Sequence, residues 1–153
     1  MIKNLFKKNA GGFSLVELTT VLAIIGILTV LVTTTFKKAG GGTAVETSAV
    51  SVIAVLNEAK SSAISSKNAS DYGVRILNNK LISFQGAYGT GNKETSISNL
   101  VTISTSTGIG LDVIFDNVTG NSSASGTITI TALNDSTKKI TIRIYSTGAI
   151  EKN

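Results

Sequence analysis

A chain of 153 residues without a single Cys or His cannot be a disulfide scaffold and has no thiol nucleophile. Cys/His zinc sites and His-based acid–base chemistry are excluded with them. Its 42% hydrophobic content suits one modest domain plus an appendage, and the formal charge of +5 invites a nucleic-acid reading. The distribution weakens that reading, because Lys3, Lys7 and Lys8 lie in the first twelve residues and leave the remainder close to charge balance.

Met1 to Gly12 is short, basic and polar. From Phe13 to Phe36 follow 24 residues whose only charge is Glu17. As a helix this run spans about 36 Å, enough for a hydrocarbon core of roughly 30 Å. Leu15, Val16, Leu18, Val21, Leu22, Ile24, Ile25, Ile27, Leu28, Val30, Leu31 and Val32 place apolar surface on every side, the mark of a membrane span or a bundle core. Lys37 and Lys38 close the run. A cleaved secretory signal needs a small-x-small site after the apolar region, and "KKAGG" is a poor one. A lipoprotein signal needs a Cys. A plain uncleaved anchor fits the length, with three lysines before the span against two after it. None of these explains a carboxylate at position 17.

The string "GGFSLVELTTVLAIIGIL" resembles the N-terminus of type IV pilins and type II secretion pseudopilins: a basic leader ending in Gly, an aromatic or apolar first mature residue, a Glu at the fifth mature position, then an apolar helix. The resemblance implies that residues 1–12 are a leader. A prepilin peptidase would cut between Gly12 and Phe13 and methylate the new amine of Phe13. Residues 13–36 would then be a stalk that rests in membrane lipid before entering a filament. It further implies that Glu17 pairs with the Phe13 ammonium of a neighbouring subunit and sets axial register. The implied partners are other pilin or pseudopilin subunits, the peptidase and an inner-membrane assembly platform. The implied location is the bacterial cytoplasmic membrane, crossed once with the head outside, and then a surface pilus or periplasmic pseudopilus. Relatives commonly carry a Pro in the second half of the stalk; here the chain reads "LVTTTF", and any loosening falls to Gly26 and the threonines.

Residues 37–42, ending in "AGGG", read as a flexible joint that interrupts or weakens the helix. Beyond it Val45, Ala49, Val52, Ile53, Leu56, Ala59, Ala63 and Ile64 recur at three- and four-residue steps. This predicts a one-faced amphipathic helix over residues 43–66. From Asp71 the period becomes two. "YGVRIL" and "KLISF" flank Asn78-Asn79, a hairpin turn. "SNLVTIST", "LDVIFD", "TITITA" and "KITIRIYS" follow, with Ile128, Ile130 and Ala132 on one face and Ile140, Ile142 and Ile144 likewise. Residues 71–151 thus form an antiparallel sheet packed on the second helix. The fold class is α+β, with a globular head, residues 43–153, on a hydrophobic stalk. "NEAKSSAISSKNASDYGVRI" and the closing strands, with Gly148 in a terminal Gly-x-hydrophobic element, resemble GspH/FimT-like minor pseudopilins. The missing cysteines disfavour the disulfide-closed loop of many major pilins, although the major pilin of a minimal system is the alternative within the class.

No catalytic constellation, cofactor site or metal site is expected. "GAYGTGNKET" (Gly86 to Thr95) nearly matches a phosphate loop, but Asn92 occupies the lysine position and no helix pattern follows. Asp112, Asp116 and Asn117 offer oxygen ligands for calcium at a spacing that is not diagnostic. Lys138, Lys139 and Arg143, with Lys152, offer a small basic patch for DNA, as in a DNA-uptake tip subunit. A lysine-blunted strand edge is the plainer account. The reading carried forward is a non-enzymatic structural subunit, a minor pilin or pseudopilin.

Overall fold

The computed structural model describes residues 12–65 and 67–153. The chain divides into two compact units, the first ending at Lys37 and the second running from Lys38 to Asn153. Helix α1 (Leu15–Ile64) contributes to both.

In the first unit, Leu15–Val32 has a mean hydropathy of 2.5 over 18 residues, and none of it is buried. The threonines here do not leave hydroxyls unpaired. Thr19 and Thr20 donate to the Val16 carbonyl at 2.9 and 2.8 Å, and Thr29 donates to that of Ile25 at 2.8 Å. Such back-bonding lets a hydroxyl sit on an apolar helix without an unmet donor. The helix continues through Gly26 without interruption.

The second unit is α+β. The α1 residues beyond the glycines lie on two four-stranded, wholly antiparallel sheets rather than on the single sheet expected from sequence. One sheet has the order β3-β2-β1-β5 and the other β4-β6-β7-β8. The strands are β1 (Tyr72–Ile76), β2 (Lys80–Gln85), β3 (Lys93–Ser96), β4 (Val101–Thr105), β5 (Asp112–Phe115), β6 (Gly126–Ala132), β7 (Asp135–Ile144) and β8 (Ile150–Lys152). Side-chain and turn contacts join the two sheets, so one antiparallel pattern in the sequence conceals two layers. Asn78 Oδ1 accepts from the Ile103 amide at 3.0 Å, and Ser122 N donates to the Ser146 carbonyl at 3.0 Å.

A single core lies between helix and sheets. Val45, Ala49, Val52, Leu56, Ala59 and Ala63 of α1 meet Val74, Leu81, Val113 and Phe115 from the first sheet and Ile128, Ile130, Ile142 and Ile144 from the second. The period-two strands thus turn their isoleucines inward as expected, although Ile140 is only half-buried. Ile64, read as part of the stripe, is exposed, and α1 ends there rather than at residue 66. The Asn78-Asn79 hairpin forms, with Leu77 N donating to the Lys80 carbonyl at 3.0 Å.

Gly40, Gly41 and Gly42 are helical, contrary to the expected interruption. Each glycine costs about 1 kcal/mol relative to Ala in a helix, so packing must offset the loss. A Cβ on Gly41 would collide with the Asn134 side chain at the β6–β7 turn, and one on Gly42 would touch Lys138. The glycines therefore let that turn approach the helix backbone.

Ser48 is the polar exception in the helix stripe. It is 2% exposed and its hydroxyl has no partner among the described residues. An unmet buried hydroxyl costs about 1–3 kcal/mol. Ser48→Ala is therefore expected to stabilise the chain by about 1 kcal/mol, read as a rise in Tm of roughly 4 °C in thermal unfolding.

Candidate functional site

The chemistry-bearing residues of the N-terminus sit at the mouth of α1. Gly12, Phe13 and Ser14 are non-helical, and Phe13 is 86% exposed. Nothing lies within 4 Å of where a Gly12 Cβ would stand. Ser14 is the N-cap residue: its carbonyl accepts from Leu18 N at 3.1 Å, and its hydroxyl accepts from Val16 N at 3.4 Å. "SLVE" is the spacing of a capping box, with Glu17 at the third helical position. Glu17 lies in the first turn, where the helix macrodipole and the unpaired amides favour an anion. The carboxylate that looks misplaced in an apolar run thus stands at the one end of the helix that attracts it. The Gly12–Phe13 peptide bond lies outside the helix, in accessible backbone.

On the head, the structure separates the proposed basic patch. Residues alternate across β7, so Lys138 reaches back towards Gly42 of α1 while Lys139 and Arg143 occupy the opposite face. Arg143 stands directly across from Glu151 on β8, and Lys152 is paired with Glu46 of α1. Of the calcium candidates, Asp112 is engaged elsewhere. Asp112 forms a two-pronged ion pair with Arg75 at 2.6 Å for each contact. Asn117 sits in the turn after β5, its amide bonded to Asp71 Oδ1 at 2.7 Å. No group of three or more acidic side chains that could hold a metal occurs among the described residues. The near-phosphate loop leads into β3, an edge strand missed in the sequence, rather than into a helix.

That loop has a different use, which the sequence did not disclose. Tyr88 packs its ring 3.5 Å beneath the Arg75 guanidinium and meets Phe84 edge-on at 5.7 Å. Phe84 lies across Gly73, whose missing Cβ leaves room for the ring. The glycine-rich segment is therefore fastened over the outer face of the first sheet. Hydrogen bonding to Asp112 raises the Arg75 pKa, so the guanidinium stays charged. Arg75 and Asp112 are 37 residues apart; only the strand register Arg75↔Asp112 unites them.

Residues 7–33 match the family described as the prokaryotic N-terminal methylation motif. Gly12, Phe13 and Glu17 all fall inside that span. Two solved structures are similar in fold. The type IV minor pilin FimU of Pseudomonas aeruginosa (strain PAO1) is 15% identical with a TM-score of 0.58, over 71% of this chain and 91% of that one. The minor pseudopilin EpsH from the type 2 secretion system of Vibrio cholerae is 16% identical with a TM-score of 0.57, over 71% and 95%. The chain thus carries the methylation motif at its N-terminus and shares a fold with a minor pilin and a minor pseudopilin. No curated protein matches the chain.

Arg75→Ala removes both the ion pair and the ring contact. It is expected to lower the Tm measurably, because one side chain makes both contacts. Amide exchange should quicken most in residues 86–92, with β6 and β7 unaffected; exchange that rises uniformly would show that the loop is held by other means.

Proposed function

We propose that the chain is a structural, non-enzymatic minor subunit of a type IV pilus or a type II secretion pseudopilus. One observation carries the reading: a methylation motif over residues 7–33 contains a wholly exposed apolar stretch of helix, Leu15–Val32. The likeness of the head to a minor pilin and a minor pseudopilin supports the subunit type.

In this reading residues 1–12 are the leader. Lys3, Lys7 and Lys8 hold it on the cytoplasmic side of the inner membrane, the stalk crosses once, and the head stands outside. Prepilin peptidase cuts at Gly12–Phe13, and the free amine of Phe13 is methylated. Gly12 suits the cut because it presents no side chain beside a non-helical peptide. The assembly platform then lifts the stalk out of lipid into a bundle of like stalks.

Cleavage creates a cation two residues before the first helical position, at the end of the helix where the macrodipole disfavours positive charge. Glu17 is the compensating anion, on its own subunit or on a neighbour. In lipid, Glu17 stands about 3 Å along the axis from Leu15 and stays near the interface. Its insertion cost then falls below the roughly 2.5–3.5 kcal/mol of a mid-membrane charge. Inside a filament an unpaired charge is far more costly. A close pair gains about 4 kcal/mol at an effective dielectric near 20, most of it offset by desolvation. The pair therefore sets register, and apolar contact supplies adhesion.

Two outcomes test the reading. Gly12→Val is expected to leave the leader attached in intact-mass spectra of the membrane fraction; a mature protein beginning at Phe13 would refute the leader assignment. Glu17→Val is expected to be processed and inserted normally yet to appear about tenfold less in sheared filaments or crosslinked pseudopilus. Unimpaired assembly of that variant would refute the register role.

A further inference from the structure

Between the last turns of α1 and one end of the first sheet, the two layers of the head do not close on hydrocarbon. On β2 the residues facing the helix run Leu81, Ser83, Gln85: the first is core, and the next two are polar and only half-buried. Tyr72 stands beside Gln85 in register on β1. Glu58 and Ser62 face them from α1, with Ala59 as an apolar floor, and a cleft of about 220 Å³ remains. Its polar groups are held in place. Lys93 of β3 pairs with Glu58 at 2.8 Å across the cleft. Asn68 donates to Gln85 Oε1 at 3.2 Å, which turns the Gln85 amide so that its two Nε2 protons have no partner among the described residues. The Ser62 hydroxyl is likewise unpaired among them.

Charge, size and lining restrict the occupant. Among the described lining residues one cation and one anion cancel each other, which gives no net attraction for a phosphate or a carboxylate. The volume lies below the roughly 300–1,000 Å³ of sites for drug-sized ligands, so the site suits one ring and not a length of peptide. The Gln85 amide and the Ser62 hydroxyl can donate, and the Ser83 hydroxyl, which itself donates to the Lys93 carbonyl at 3.4 Å, can accept; such a set matches adjacent hydroxyls that do both. An aromatic side chain and an apolar floor complement the C–H faces of a ring. We propose that this cleft binds one neutral sugar ring, either a free monosaccharide or the terminal residue of a glycan. The binding makes no use of leader cleavage or of Glu17, so it stands apart from the assembly reading.

The test uses the full chain in detergent micelles, titrated with glucose, galactose and N-acetylglucosamine and with the methyl glycoside of each, observed through the side-chain amides of Asn68 and Gln85 by NMR. A ligand of about a dozen heavy atoms is expected to bind in the millimolar range. At least one sugar should shift both amides saturably. Free sugar and methyl glycoside binding alike indicates a glycan end, because the glycoside mimics a linked ring; binding of the free sugar only indicates a monosaccharide. Gln85→Ala should weaken binding about tenfold through loss of one bonded group, and Ser83→Trp should fill the cleft and abolish it. The proposal is overturned if no sugar moves either amide at tens of millimolar, roughly ten times the expected constant. Undiminished binding to Gln85→Ala, or equal shifts produced by acetate, phosphate or a short peptide, would overturn it as well.

Discussion

Thirteen large apolar side chains between Phe13 and Val32 stand at least 47% exposed, with no cover among the described residues. Covering a side chain of this kind is worth about 1.5–3 kcal/mol when complete. The uncovered stretch therefore holds on the order of 10–20 kcal/mol of unrealised burial, comparable to the whole stability of a small domain. Lipid or other helices must supply the cover. This surface also decides what α1 can contain. Backbone amides must be met within the helix, and the hydroxyls of Thr19, Thr20 and Thr29 must turn back onto carbonyls, as they do.

The head answers to the opposite solvent. Its helix stripe is covered by two sheets that share one core, and the glycines at 40–42 belong to that packing. A run of three glycines reads locally as a hinge, because each weakens a helix. Here the absence of side chains is what admits Asn134 and Lys138. The sequence carries the composition but not the partner, so the joint was legible as unusual and not as a contact.

The same limit runs through the rest. Period-two alternation made Ile128, Ile130, Ile142 and Ile144 legible as inward-facing, and Asn78-Asn79 as a hairpin, because both signals are local. β3 is short and its residues are nearly all exposed, so no apolar alternation announces it. The separation into two sheets depends on which strands pair across long intervals, β1 with β5 and β4 with β6. That choice is made by packing. The Arg75–Asp112–Tyr88 cluster and the polar cleft follow from the same long-range register and were not visible beforehand. At the N-terminus Gly12, Phe13 and Glu17 lie within six letters, so their spacing is a local signal, and the methylation motif over residues 7–33 includes them; the capping by Ser14 was not read beforehand.

The contiguity of those letters explains why so polar a residue persists on so apolar a helix. A carboxylate at the middle of the span would cost roughly 2.5–3.5 kcal/mol with no local compensation. Moved to the third helical position, it meets the positive end of the macrodipole, worth about 0.3–1 kcal/mol, and the amides that the first turn leaves unbonded. The remaining cost is small against the burial available to the apolar stalk, so the stalk tolerates Glu17 before any partner arrives. In the proposed assembly, a charge that is merely tolerated alone, yet sharply unfavourable if buried unpaired, would penalise every stacking of stalks that leaves it without a cation. Apolar side chains on all sides of a helix pack acceptably at many axial offsets. In that assembly the carboxylate would be the group among the described residues of this segment that makes one offset better than the rest.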